Sequence, residues 1–185
     1  MMNRSPAPAS FLFTCLMLLS SCELFWKHDS DDDPLSKLPP PTQVGNWSFG
    51  CLVDGQAGYT VGQPRGQNAT GCWAEPSDGG TLTIQAFFAT GVGGNMVFWL
   101  FDSLGTGLTY PLHNQPAQNQ VLFYSTTGLN ENYFQSTDPV SGYVTLSRYD
   151  PAAKVVSGTF AFTLVNAESD TVRVTEGRFD APLLW

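Results

Sequence analysis

Short runs of alternating apolar and polar residues follow one another from Val44 onward. In residues 47–54, Trp, Phe, Cys and Val alternate with Ser, Gly, Leu and Asp. A period of two is typical of a half-buried β-strand. Further candidate strands are residues 81–90, 96–102, 120–125, 142–149, 155–165 and 171–179. Because no window of a dozen residues carries a helical pattern, the sequence predicts a nearly all-β domain.

Turn signals rich in Gly, Asn, Asp and Pro separate these runs, as in residues 78–80 and 93–95. Strands at this spacing, with no helices for parallel crossovers, favour a single antiparallel β-sandwich or a small β-barrel over residues 44–185. We expect the last two strands to form a hairpin, with Phe160, Phe162 and Leu164 facing the core.

The N-terminal residues carry a short apolar segment, residues 11–19, which is shorter than the roughly 20 apolar residues of a membrane-spanning helix. The ending Leu19-Ser20-Ser21-Cys22 resembles a bacterial lipobox. The resemblance implies a lipoprotein signal peptide, residues 1–21, and acylation of Cys22. The alternatives are an ordinary cysteine near an ordinary cleavage site, or a core helix over residues 1–24.

Residues 22–43 combine an Asp cluster with three consecutive prolines. This composition buries too little apolar area to offset chain entropy, so we expect a flexible tether between the lipid and the domain. The Asp cluster lacks the Gly and distant Glu of a calcium-binding loop. It is interpreted as a solvated run, or as similar to the acidic export signals of surface lipoproteins.

Two of the four cysteines, Cys51 and Cys72, lie within the expected domain. In an oxidising compartment, two exported thiols favour a disulfide, although two separately buried thiols are the alternative. A metal site is not expected, because only His28 and His113 could join these cysteines and their spacing is not that of metal ligands.

No catalytic constellation is recognisable. His113 lies in a Pro-rich loop without a serine motif, and the carboxylates are scattered singly at strand ends and turns. We therefore assign no catalytic residue and expect no cofactor. Sixteen acidic residues against eight basic ones give a net charge of −8, which argues against nucleic acid as a partner.

Aromatic residues are abundant in the candidate strands. The neighbours Phe87-Phe88 and Phe98-Trp99 must point to opposite faces of a sheet. Either both faces of the sheet are covered, or some of these rings are exposed. Exposed rings near Asn and Gln side chains would suit a carbohydrate or peptide groove.

Two stretches resemble the first strand and the last hairpin of an uncharacterised lipoprotein family common in Bacteroidota. They are residues 46–55, with Phe49-Gly50-Cys51, and residues 157–180, with Glu176-Gly177-Arg178-Phe179. The resemblance implies a secreted lipoprotein with a β fold and carries no activity with it. Gly177 is expected to permit a bulge or close packing, with Arg178 and Phe179 on opposite sides.

These features predict a non-enzymatic lipoprotein of the bacterial outer membrane. Its partner would be the lipid bilayer, through the acyl chains on Cys22, and its β domain would serve binding or envelope structure. The periplasmic and surface sides remain alternatives. The alternative function is a glycan-acting enzyme or a carbohydrate-binding accessory module at the cell surface.

Overall fold

The fold is a β-sandwich made of two antiparallel sheets packed face to face. The structure is a computed structural model and describes residues 33–63, 70–101, 103–113, 115, 118–125, 132–135 and 141–185. Neither sheet closes into a barrel. The prediction of an all-β fold is confirmed, and of its two forms the sandwich is correct.

The larger sheet contains seven strands. They are β1 (Ser48–Val53), β2 (Gln56–Thr60), β5 (Thr90–Gly91), β7 (Thr109–Pro111), β10 (Ser141–Asp150), β11 (Val155–Val165) and β12 (Thr171–Pro182). Their order across the sheet is β5-β2-β1-β12-β11-β10-β7. Strands β11 and β12 pair as antiparallel neighbours across a turn at residues 166–170, so the predicted hairpin is confirmed.

The smaller sheet contains five strands. They are β3 (Gly71–Pro76), β4 (Leu82–Phe88), β6 (Gly94–Leu100), β8 (Gln120–Ser125) and β9 (Asn132–Gln135). Their order is β3-β4-β6-β8-β9, and every neighbouring pair is antiparallel. Since one face of this sheet covers the larger sheet, alternation along its strands leaves a second set of side chains pointing away from the core.

A group of phenylalanine rings joins the two sheets. Phe49 and Phe160 of the larger sheet meet Phe88 and Phe98 of the smaller one, with ring centroids 5.1 Å apart for Phe49–Phe88 and 4.9 Å for Phe98–Phe160. All four side chains are at most 2% exposed. The burial of such large apolar side chains is the main favourable contribution to the free energy of folding.

The expected inward face of β11 is confirmed. Phe160, Phe162 and Leu164 are buried, whereas Thr159, the residue before Phe160, is exposed on the opposite face of the strand. The period of two therefore fixes the register of the hairpin, since a slip of one residue would move all three apolar side chains to solvent.

A β-bulge interrupts β12 at the glycine that the sequence singled out. The pairing of β12 shifts register against both β1 and β11 around Gly177, and the preceding Glu176 adopts a positive φ of 54°. A Cβ at Gly177 would lie 2.4 Å from the ring of Phe160, so only glycine fits. Phe179 is buried and Arg178 is partly exposed, as expected for opposite sides.

Residues 33–43 pack against the larger sheet. A 3₁₀ helix, Pro34–Lys37, precedes Leu38 and Pro39, whose side chains are buried. Gly50 of β1 makes room for this segment, because a Cβ there would lie 2.6 Å from Cδ of Pro39. The compact unit that holds the sandwich thus includes residues 33–43, whereas composition placed the start of the domain at Val44. An extended Pro-rich segment has no core of its own, but it can be ordered by burying its apolar side chains against the face of a sheet.

The carboxylate of Asp180 holds the end of this segment. Its Oδ2 accepts hydrogen bonds from Thr42 Oγ1 (2.6 Å) and Val44 N (3.0 Å), and its Oδ1 accepts from Gly45 N (2.8 Å) and Ser157 Oγ (2.7 Å). The residue is 1% exposed. Desolvation opposes its ionisation, but these four hydrogen bonds prevail and lower its pKa below the usual value.

Candidate binding face

Strands β3, β4, β6 and β8 of the smaller sheet carry four aromatic residues on their outward side. Inward positions are buried along β4 and β6 and in the middle of β3 and β8, whereas the alternate positions there are partly exposed. We call the side chains at these alternate positions of β3, β4, β6 and β8 the outer face. Its aromatic members are Trp73, Phe87, Trp99 and Tyr124. Phe88 and Phe98 are buried beside them, so the expected split of the neighbouring aromatic pairs is confirmed, with part of each outward ring accessible.

Amide side chains alternate with these rings across the strands. Asn95 lies opposite both Phe87 and Tyr124 in the register of the sheet. Gln85 lies opposite Trp73, and Gln120 lies opposite Trp99. Because directly opposite side chains in an antiparallel pair have Cβ atoms about 5 Å apart, each amide borders at least one ring.

Trp73 and Phe87 stack on one another at one side of the outer face. Their ring centroids are 5.5 Å apart and the planes differ by 11°. Gly71 stands opposite Phe87 on β3 and adds no side chain between the two rings. Trp73 Nε1 also donates a hydrogen bond to Glu75 Oε1 at 3.1 Å. Two contacts on different sides of the indole fix its orientation.

Asn95 contributes an unsatisfied acceptor to this face. Its Oδ1 is buried beneath its neighbours and has no hydrogen-bond partner among the described residues. An amide oxygen removed from water without a partner costs free energy. Because this oxygen is covered, a partner can reach only the rest of the partly exposed Asn95 side chain.

The outer face is nearly free of charge. Strands β3, β4, β6 and β8 contain no Lys or Arg, and Glu75 is their only acidic residue. Aromatic, amide and hydroxyl groups, together with the aliphatic side chains of Val97 and Leu122, are thus the chemistry that these four strands offer to a partner.

The cysteines of the domain are free thiols, so the predicted Cys51–Cys72 disulfide is wrong and the alternative of two separately buried thiols holds. Cys51 lies on β1 and Cys72 on β3, in opposite sheets, and both are fully buried in the shared core. Desolvation raises the pKa of both thiols, and the negative charge of Asp180 adds to this for Cys72. Both pack as small apolar side chains. Cys22 lies outside the described residues.

Two grooves elsewhere among the described residues carry carboxylate side chains. A groove of about 380 Å³ beside the bulge is lined by Tyr143, Glu176 and Arg178 among others. A second, of about 270 Å³, lies where Asp54 and Asp170 approach one end of the sandwich. These two carboxylates already accept hydrogen bonds. Asp54 accepts one from Arg173 N of β12, and Asp170 accepts one from Asn166 Nδ2 within its own turn.

Several kinds of site are not found in the described part of the chain. It holds no cluster of three or more His, Cys, Asp or Glu side chains that could bind a metal ion. No helix there is long and apolar enough to cross a bilayer. His113 lies exposed in a loop, where its backbone N–H donates to Asn119 O. His28 falls outside the described residues.

Comparison with known proteins gives a family without an assigned activity. Residues 68–181, more than half of the chain, match the family described as a domain of unknown function, DUF6252. This range covers strands β3 to β11 and most of β12, and so includes the outer face. No curated protein and no solved structure matches the chain. The chain therefore belongs to the DUF6252 family of uncharacterised domains.

Proposed function

We propose that this protein is a non-enzymatic, lipid-anchored lipoprotein of the bacterial envelope that displays a β-sandwich for binding. The observation that carries the binding role is the outer face, where aromatic and amide side chains of a rigid sheet are accessible together. Sites of this composition combine a large apolar contact with a few orienting polar groups. Rigid strands hold such groups in place at little entropic cost on binding.

Anchoring is supported by the sequence before the domain. Cys22 follows an apolar run and a lipobox-like Leu-Ser-Ser, and only eleven positions separate it from Asp33. A chain of that length spans at most about 40 Å. A lipoprotein cysteine that carries two or more acyl chains stays stably in a membrane, whereas one chain holds only marginally.

The Asp180 contacts fix the segment between the proposed anchor and the domain to the larger sheet. They tie residues 42–45 to β12 in the middle of the larger sheet, while the outer face belongs to the other sheet. The domain would thus be held through one sheet and would bind through the other. We propose the outer membrane of a member of the Bacteroidota as its location, which is supported by the lipobox-like residues 19–22 and by the resemblance of residues 46–55 and 157–180.

Replacing Cys22 with alanine is expected to abolish membrane anchoring. The acyl chains attach to that sulfur, outside the packed domain, so folding should be unaffected. Labelling of cells with an alkyne fatty acid, followed by membrane fractionation, measures the change. Cys15→Ala, a matched substitution within the proposed signal peptide, should leave label and fractionation as in the wild type. A Cys22→Ala protein that still takes up label and sediments with membranes would contradict the proposal.

A further inference from the structure

We propose that the outer face binds a neutral oligosaccharide. This inference rests on the proposed binding function and adds the chemical class of the ligand and the residues that contact it. The principal contacts are assigned to Trp73 and Trp99, with the amides of Gln85, Asn95 and Gln120 between and beside them.

The rings match one side of a sugar. A pyranose exposes C–H groups of slightly positive charge on its faces, and the face of an aromatic ring is negative because of its quadrupole. Trp73 is on β3 and Trp99 is on β6, two strands away. Two strand spacings are about 10 Å, which is wider than one sugar ring. A ligand that contacts both indoles is therefore an oligosaccharide.

The amides match the rim of a sugar. Each Asn or Gln side chain both donates and accepts hydrogen bonds, as every sugar hydroxyl does. Asn95, Gln85 and Gln120 are partly exposed, so their amide groups are within reach of such hydroxyls. Asn95 lies between Phe87 and Tyr124 in the register, so a hydroxyl bound to its amide group would lie beside those rings.

The charge and polarity of the outer face argue against anionic ligands and against an apolar protein surface. Strands β3, β4, β6 and β8 lack Lys and Arg, so a polyanion or a phosphate group finds no cation on them. An apolar protein surface would desolvate Gln85, Asn95 and Gln120 without returning their hydrogen bonds, and each lost bond opposes association. A polyhydroxylated neutral ligand satisfies the amides and covers the rings together.

Affinity electrophoresis of the full-length lipoprotein tests the inference. The protein is solubilised in a polyoxyethylene detergent, since a maltoside would compete as a sugar. Native gels contain soluble neutral polysaccharides, one to a gel: a β-glucan, a xylan, a mannan, a xyloglucan and an α-glucan. A gel with polygalacturonate provides the charged counterpart. We expect retardation by at least one neutral polysaccharide and none by polygalacturonate.

Variants then locate the contact. Trp73→Ala and Trp99→Ala should each weaken retardation at least about tenfold, since each removes one stacking ring. Tyr143→Ala is the matched control, because Tyr143 is 46% exposed on the other sheet. Its retardation should equal that of the wild type. Circular dichroism and thermal melting confirm that each variant is folded, and Trp99→Phe, which keeps a ring, should retain most of the binding.

Three outcomes would overturn the inference: no retardation by any neutral polysaccharide, retardation by polygalacturonate alone, or retardation that both tryptophan variants retain. None of these outcomes affects the membrane anchoring that is tested at Cys22. The proposal of a lipid-anchored lipoprotein would therefore stand, and only the class of ligand would be wrong. Release of reducing ends from a retarding polysaccharide would instead contradict the non-enzymatic function, while leaving the binding face in place.

Discussion

Asp180→Ala is expected to lower the free energy of unfolding by about 3–5 kcal/mol, the largest effect of any polar substitution in the described domain. The carboxylate is buried and accepts four hydrogen bonds, two of them from the backbone N–H groups of Val44 and Gly45. Its removal leaves these donors unsatisfied and releases the segment that covers Gly50. Against a typical domain stability of about 5–15 kcal/mol, the loss is a large fraction.

Urea denaturation of the wild type and the variant measures this change. Asp78→Ala is the control, since Asp78 is exposed in the turn between β3 and β4 and should change stability by less than about 0.5 kcal/mol. Equal and small effects of the two substitutions would show that the segment over β1 is not held through Asp180.

The stability contributed by Asp180 has a defined pH dependence. Its pKa is lowered in the folded state, so the contribution is complete above the pKa of the unfolded chain and is lost as the pH falls through the folded value. Wild-type stability should therefore decline on acidification below about pH 4, the ordinary carboxyl range. The decline should be smaller in Asp180→Ala, which lacks that carboxyl in both states.

Phe160→Ala is expected to cost about 3–5 kcal/mol, because it removes a ring from the centre of the core. Phe160 is 2% exposed and its ring lies within 6.4 Å of the rings of Phe49, Phe98, Phe162 and Phe179, measured between centroids. Thermal unfolding should show a melting temperature lowered on the order of 10 °C.

Thr159→Ala, one residue earlier on the same strand, is the matched control. Thr159 points to solvent, so its truncation should change the melting temperature little. A comparable drop at both positions, or no drop at either, would contradict the assigned register of β11.

Strands with large apolar residues on their buried side could be predicted from the sequence. Residues 120–125 and 155–165 coincide with β8 and β11. Strand β3 was missed because its inward positions hold only Cys72 and Ala74, while its largest side chain, Trp73, points outward. That arrangement inverts the usual signal, in which the most hydrophobic residues mark the buried face. Strands β2, β5, β7 and β9 were missed as well, since two to five residues are too few to show a period.

The candidate site was only partly predictable. The sequence required one ring of each pair, Phe87-Phe88 and Phe98-Trp99, to point away from the core, but it could not show that Trp73 lies on the same face. That fact depends on β3 pairing with β4, which is a long-range choice made by the fold. The disulfide was predicted from a count of cysteines, and a count carries no information on whether two buried thiols face each other.

The packing of residues 33–43 was unpredictable for a related reason. The composition of this segment correctly predicts that it has no core of its own. It carries no information on the groove of the larger sheet in which the segment lies. That groove exists because Gly50 lacks a side chain and because Asp180, far along the sequence, offers four acceptor positions. Only the assembled sheet brings these two features to the same place.

Hydroxyl-radical footprinting tests the central claim most directly, because it detects an occupied outer face whatever the ligand. Oxidation of Trp73 and Trp99 is measured by mass spectrometry in the purified lipoprotein and in intact envelopes of cells that produce it, with Tyr143 as the internal reference. The account predicts that both tryptophans are protected in envelopes by at least about tenfold more than Tyr143, as expected for rings covered by a ligand. Equal oxidation of all three residues in the two preparations, or protection confined to Tyr143, would contradict a binding role for the outer face.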